Sequence, residues 1–282
     1  MVTGSSGFLG HHLCRKLIEL GFYVVGVDDM SNGTEEYCSI PNEFGRLKVG
    51  DLRLEDLSGV KYIFHTAALP RVPFSVEFPE ETHDANVNQT LKLLLLARDV
   101  KIEKVIYSSS SSVYGGQTKL PSKETMTPVP LSPYAVQKLA AEHYCEVFRG
   151  VYGLQTASLR YFNVYGEEQR ADNPYTGVIT KFKQMKKDGK PLTIFGNGEQ
   201  RRDFTFVQDV VEANILVAEK GIGVFNVGTG TNHSINEIAK AISNNVEYLP
   251  ARLGDPMISL ADNSKLQSIG WKPKMELLKW LS

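Results

Sequence analysis

The 282-residue chain predicts an α/β protein, a doubly wound parallel sheet with a smaller mixed α/β lobe. Three observations carry this. Apolar stretches of strand character alternate with stretches of helical periodicity through the first half of the chain. Glycines at 4, 7 and 10 punctuate the passage from the first strand to the first helix. An acid, Asp28, closes the second strand, eighteen residues after Gly10. Strand–helix alternation implies parallel strands joined by helical crossovers.

The elements follow in order. Val2-Thr3 ends a strand, His12–Leu20 carries Leu13, Leu17 and Ile18 at helical spacing, and "FYVVGV" is a buried-strand pattern. Strand, glycine turn, helix, strand and acid make the first unit of a Rossmann-type dinucleotide site. There the unpaired N–H groups and dipole of a helix N-terminus favour a pyrophosphate. Asp28 stands where a carboxylate bonds the adenosine ribose hydroxyls. Asp29, Met30 and Ser31 offer no cation for a 2′-phosphate, which favours NAD over NADP. "RLKVGD" (46–51) and "KYIFHTAA" (61–68) read as strands three and four, residues 81–99 as a helix, and "KVIYSSS" (104–110) as the next strand. A long helix over 132–152 and a strand, "TASLRYFN" (156–163), follow. Ligands in such sheets lie beyond the carboxyl ends of the strands. That places Asp51, His65–Ala68, Ser108–Ser112 and Arg160–Asn163 around one crevice, so the five serines are a strand rim and not a linker.

Composition narrows the function classes. At 42% hydrophobic and 22% charged residues the chain is an ordinary globular protein. Its net charge of −1 gives no general attraction for nucleic acid or an anionic membrane, so an anionic ligand needs local cations. "LKLLLLA" (91–97) is too short to span a bilayer. Cys14, Cys38 and Cys145 lack metal-ligand or CxxC spacing, which points to a reducing cytoplasm and to no metal. No basic-then-apolar leader precedes the first glycine, so secretion is not expected.

The chemistry concentrates in "SPYAVQK". Ser132 suits an N-cap and Pro133 the first helical position, which puts Tyr134 and Lys138 one turn apart on one face. A phenol near pKa 10 is a poor base at neutral pH. A neighbouring ammonium and a nicotinamide cation favour its phenolate, making the pair a proton shuttle for alcohol–ketone redox. A serine hydroxyl at the adjoining strand end can bond the same substrate oxygen.

These motifs, with "TGSSGFLG", "VDDMSNG", "GDLR", "HTAA", "NVNQT", "YSSSSSVYG", "RYFNVYG", "RRDFTFVQDVV", "NVGTG" and "RLGDP", run along nearly the whole chain. Together they resemble the extended short-chain dehydrogenase/reductases, within them the NAD-dependent nucleotide-sugar epimerase/dehydratase group, and most of all the UDP-hexose 4-epimerases. An abbreviated first strand, with only two residues before Thr3, and an end at Ser282 depart from the pattern. The resemblance implies Ser110, Tyr134 and Lys138 as catalytic residues. It implies NAD contacts from Gly4, Gly7, Phe8, Leu9, Gly10, Asp28, Asp29, Asn32, Asp51 (near the adenine), Leu52, Ala67, Ala68, Asn86 and Ser108, besides Tyr134 and Lys138. It implies a UDP-sugar held by Ser110, Ser111, Ser112, Tyr134, Asn163, Arg202, Arg252, Asp255 and Ser259, and a homodimer formed through helices 82–99 and 133–151. Residues 1–164 with 203–228 are then the dinucleotide half, and 165–202 with 229–282 the substrate lobe.

The reaction follows from what stands after Ser110. Dehydratases of the group are similar but carry Thr-Asp-Glu at this strand end, and eliminating water needs that acid and base. Ser111 and Ser112 cannot replace them, which leaves reversible oxidation at a carbinol. An epimerase needs nothing more. Diphosphate cations are offered by Arg201, Arg202 and Arg252, with Arg202 and Arg252 the clamps by family match. Galactose/glucose-restricted relatives resemble one another in a large aromatic where this chain has Ser259, so an N-acetyl group at C2 is expected to fit. "SSSSVYG" is also similar to hexuronate epimerases, in which case Arg71 meets a carboxylate. A nucleotide-sugar ketoreductase or dehydrogenase, and a silent NAD-binding sensor subunit, are the other readings. The presence of both Tyr134 and Lys138 opposes the last. His11 and His12 are expected to pack or face solvent, and His65 to support its loop. Ser234 and Glu237 make a capping box.

Overall fold

The computed structural model describes residues 1–70, 72–117, 119–171, 176–251 and 257–282. In chain order its strands are β1 (Val2–Thr3), β2 (Val25–Asp28), β3 (Glu43–Arg46), β4 (Tyr62–His65), β5 (Lys104–Ser110), β6 (Thr156–Tyr161), β7 (Val164–Tyr165), β8 (Leu192–Phe195), β9 (Arg201–Asp203), β10 (Thr205–Phe206), β11 (Gly223–Val227), β12 (Asn232–Ser234) and β13 (Val246–Leu249). Its helices are α1 (Phe8–Glu19), α2 (Val72–Glu77), α3 (Pro79–His83), α4 (Gln89–Asp99), α5 (Pro133–Tyr152), α6 (Val178–Lys187), α7 (Val207–Lys220), α8 (Ile235–Ile242), α9 (Ser264–Ser268) and α10 (Leu277–Leu281).

Seven strands form the central sheet in the order β11-β6-β5-β4-β1-β2-β3, every pair parallel. Burial on both faces explains why β4 to β6 read as continuous apolar runs instead of alternating ones. On one face Leu13, Leu17, Val210, Val217 and Trp271 pack against Phe64, Ile106 and Leu159. On the other Leu93, Leu94, Ala141, Cys145 and Phe148 cover Ile63, Val105 and Tyr107. Each large aliphatic side chain so buried contributes about 1.5–3 kcal/mol. A third cluster joins Ile179 and Phe182 of α6, Leu192 and Ile194 of β8, Phe204, and Ile235, Ile238 and Ile242 of α8. Here β8 pairs parallel with β13, and β9 antiparallel with β12.

Several element boundaries differ from the sequence reading. The third strand is Glu43–Arg46, not 46–51, set by its register on β2 from Val25↔Glu43 to Asp28↔Arg46. As an edge strand it has no apolar alternation to betray it, while Val49 instead buries in a 3-10 turn over 49–51. The first helix begins at Phe8, four residues before the expected start at His12. Within "FYVVGV" the strand begins only at Val25, with Phe22 and Tyr23 exposed. Residues 79–99 are helical throughout, but Asp84–Asn88 form a π-type turn between α3 and α4. The capping box is formed: Glu237 N donates to Ser234 Oγ and Ser234 N to Glu237 Oε2, both at 3.0 Å.

Candidate active site

A cavity of about 1480 Å³ opens along the carboxyl ends of the central strands and continues towards Arg202, Ile258 and Ser259. At one end lies the glycine turn. Gly4 has φ +68°, and a Cβ there would stand 2.7 Å from the Ala67 backbone nitrogen. A Cβ on Gly10 would lie 1.9 Å from the Gly4 carbonyl oxygen, so α1 can pack this close to β1 only without a side chain. The first turn of α1 is thereby brought to the cavity wall with Gly7, Phe8 and Leu9.

Asp28 ends β2 on the same wall. Its Oδ2 accepts from Ser6 N and its Oδ1 from Met30 N, both at 2.9 Å. Burial pushes its carboxyl pKa up, against the pull of those two amides. Each oxygen retains acceptor capacity for a vicinal diol. Asp29, Asn32, Ala67 and Ala68 also line this end. Asp51, Leu52 and Asn86 do not. Asp51 is exposed on its 3-10 turn, and Leu52 joins the core. Asn86 Oδ1 accepts from Leu69 N at 2.9 Å, and its Nδ2 donates to Gln137 Oε1 at 2.9 Å.

The middle of the cavity holds the serine rim and the Tyr–Lys helix. The N-cap is as read: Ser132 Oγ accepts from Ala135 N at 3.2 Å, with Pro133 opening α5. Tyr134, Lys138 and Ser108–Ser112 all face the cavity. Lys138 Nζ donates to the Ser108 carbonyl at 2.8 Å and lies 5.9 Å from the Tyr134 ring centroid. Burial pushes its ammonium down to about 7, with Glu142 one turn on acting against that shift. Ser110 Oγ accepts from Ser112 N at 3.2 Å, capping a 3-10 turn over 111–114. Ser112 Oγ is buried on the cavity wall with no hydrogen-bond partner among the described residues.

Sequence reasoning missed what holds this rim. Glu142 and Arg160 form a buried bidentate pair, Nη2 to Oε2 at 2.7 Å and Nε to Oε1 at 3.0 Å, and Ser109 Oγ donates to the same carboxylate. A glutamate on the apolar face of a helix, four residues past Lys138, is the signal that would have found it. His65 does support its loop, through a directional chain. Thr90 Oγ1 donates to the Asn86 carbonyl, so it accepts from His65 Nε2 at 2.9 Å. His65 Nδ1 then accepts from Thr3 Oγ1 at 2.7 Å, which in turn accepts from Ala67 N.

At the far end Asn163, Arg202 and Ser259 come together. Asn163 Nδ2 donates to the Asp203 carbonyl at 2.8 Å and to Ser259 Oγ at 3.3 Å. Arg202 lines the cavity, whereas Arg201 turns towards Asn232 and Glu237. Arg71, Arg252 and Asp255 lie outside the described residues.

The model of the NAD-dependent epimerase/dehydratase family matches residues 1–228. The chain belongs to that family. As a member it is an NAD-dependent enzyme, and the glycine cradle and Asp28 fit the cofactor. UDP-glucose 4-epimerase of Mycolicibacterium smegmatis is 35% identical over 300 residues, covering 100% of this chain and 96% of the relative. Among solved structures, UDP-N-acetylglucosamine 4-epimerase of Methanobrevibacter ruminantium, in complex with UDP-N-acetylmuramic acid, is 40% identical with a TM-score of 0.95, covering 99% of this chain and 94% of the other. UDP-glucose 4-epimerase of Thermotoga maritima with UDP-glucose is 37% identical with a TM-score of 0.96, covering 99% and 95%.

Proposed function

We propose that this family member is a UDP-hexose 4-epimerase acting on UDP-glucose and UDP-galactose and on their 2-acetamido counterparts. The observation that carries the reading is Tyr134 and Lys138 facing one cavity with Ser110, where the two next residues are serines and not the acid and base that elimination requires.

The proposed cofactor residues are Gly4, Gly7, Phe8, Leu9, Gly10, Asp28, Asp29, Asn32, Ala67, Ala68 and Ser108. NAD, when bound, supplies a reversible hydride acceptor. Tyr134 takes the proton from the sugar 4-hydroxyl and returns it to the same oxygen after the ring has turned about its diphosphate and offered the opposite face of C4 to the cofactor. Lys138 lowers the cost of the phenolate, and Ser110 aligns the same oxygen. Ser111, Ser112 and Asn163 bond the sugar, and Arg202 holds the diphosphate. Ser259 beside Asn163 leaves room for an acetamido group. In this reading residues 1–164 and 203–228 carry the cofactor, and 165–202 with 229–282 the nucleotide sugar.

The assembly we propose is a homodimer. Val136, Tyr144, Val147 and Val151 of α5, with Leu95 of α4, form an exposed apolar face suited to a second copy. Three free thiols, Cys14 and Cys145 among them buried, support a cytoplasmic setting. Among the described residues no helix is long and apolar enough to cross a membrane.

The test is incubation of purified protein with UDP-galactose, UDP-GlcNAc or UDP-glucuronate, adding no cofactor. Appearance of the 4-epimer without net NADH supports the reading. Stoichiometric NADH would make the protein a dehydrogenase, and epimerisation of UDP-glucuronate alone would shift the substrate to hexuronates.

A further inference from the structure

Past β7 the chain runs along the cavity opposite the glycine turn, with Glu168, Gln169 and Arg170 on the wall. Consecutive residues fasten this segment in two directions. Towards the C-terminal part, Gln169 Oε1 accepts from Thr180 Oγ1 at 2.6 Å, and Glu167 Oε1 accepts from Trp280 Nε1 at 2.7 Å. Towards the glycine turn, His12 Nε2 donates to the Glu167 carbonyl at 3.2 Å, and Arg170 Nη1 donates to the Gly33 carbonyl at 3.2 Å. Glu168 supplies the strongest tie. Its Oε2 lies 2.9 Å from His11 Nε2 and accepts from Arg15 Nη1. His11 is itself fixed, with Nδ1 2.8 Å from the Gly7 carbonyl and its ring stacked on Tyr37 at 3.9 Å between centroids. Glu168 has φ +61°, a left-handed conformation uncommon outside glycine.

His11, His12 and Glu168 place three atoms of metal-ligating kind, two imidazole nitrogens and a carboxylate oxygen, within 4.8 Å of one another. The Arg15 guanidinium already shares the carboxylate oxygen, however, which favours an ion-pair contact over a cation site. Both walls of this limb, Gly7–Gly10 and Asp28–Gly33 on one side and Glu168–Arg170 on the other, belong to the same cavity. A dinucleotide on the glycine turn therefore lies beside a bridge that joins α1 and the 30–34 loop to the segment after β7.

We propose that residues 167–170 form a clasp across the cofactor limb, fastened by Glu168 to His11 and Arg15 and by Arg170 to Gly33, and that this clasp slows cofactor release. Glu168, His11 and Arg15 are positioning residues. An enzyme that returns its hydride within each turnover consumes no cofactor, so retention costs it nothing. The inference rests on NAD occupying this limb.

The experiment measures NAD dissociation from the loaded full-length protein, by dilution into excess competing dinucleotide with trapping of the released NAD. NAD uptake by the parent protein, scored first, separates a failure of the cofactor reading from a failure of the clasp. Glu168→Ala is expected to release NAD about tenfold faster, the equivalent of about 1.4 kcal/mol. Arg15 and Glu168 are each partly exposed, which keeps the effect modest. The charge swap Arg15→Glu with Glu168→Arg should restore most of the retention. A rate within twofold of the parent in Glu168→Ala overturns the clasp. So does faster release that the swap leaves uncorrected, since that pattern marks general loosening of the fold.

Discussion

Removing one charge from the buried pair beneath the serine rim tests how the catalytic corner is held. Glu142 and Arg160 side chains are 3% and 4% exposed, and the carboxylate also accepts from Ser109, next to the residue proposed to align substrate. Glu142→Gln keeps the shape but leaves the guanidinium buried without a counter-charge. Breaking such a pair from one side costs about 3–5 kcal/mol. At about 2–4 °C per kcal/mol for a chain of somewhat smaller size, the midpoint of thermal unfolding should fall by roughly 6–20 °C. The pH profile should move as well. Burial holds Lys138 down to about 7 and Glu142 opposes that shift, so losing the carboxylate lowers the lysine further. Activity that needs the ammonium is lost as pH rises through its pKa, so the alkaline limb of kcat/KM should move to lower pH. Thermal unfolding and a pH–rate profile read the two effects separately. A loss below about 1 kcal/mol, the level of an exposed pair, or an alkaline limb that stays in place would refute the reasoning.

Other consequences follow from single contacts. Gly10→Ala places a methyl 1.9 Å from the Gly4 carbonyl oxygen, so α1 must shift; calorimetry should show NAD affinity reduced at least about tenfold, roughly 1.4 kcal/mol. His65 is pushed down to about 3 and His12 to about 4 by burial, so both stay uncharged in the fold while the unfolded chain takes up protons below about 6.5. The unfolded state then binds more protons, and stability should fall by about 1.4 kcal/mol per pH unit for each histidine as pH drops from 6 towards 4. Denaturant titrations at stepped pH check this, with a shallower slope expected for His65→Gln. Ser259→Tyr should lower kcat/KM for UDP-GlcNAc at least about tenfold while leaving UDP-glucose within about threefold, the scale of steric discrimination in a pocket; equal losses would exclude Ser259 as the determinant.

Much of this was legible in the residues because single local rules fix it. The glycine turn has one steric solution, Ser132-Pro133 supplies an N-cap and a first helical residue, and Asp28, at the end of the second strand, follows the glycine turn by the length of one crossover. Apolar runs at β4 to β6 announced buried parallel strands. The edge strand β3 was misplaced because "EFGR" has no apolar face to show, and its position comes from pairing with β2. The ties of His11, Arg15 and Arg170 to residues around 30 and 168 join positions over a hundred residues apart, which no local pattern encodes. The preference for Arg202 over Arg201 came from the family resemblance alone; its physical reason, the antiparallel pairing of β9 with β12 that turns Arg201 towards Glu237, lies in the fold.

The central claim is that the Tyr134 phenolic oxygen carries the proton of the sugar 4-hydroxyl. Its most direct test is Tyr134→Phe, with epimer formation from UDP-galactose followed alongside NAD content and thermal stability. The account predicts kcat reduced about 10²–10⁴-fold, the contribution of a positioned acid–base group, with cofactor retained and the fold intact. Turnover within a fewfold of the parent would contradict it.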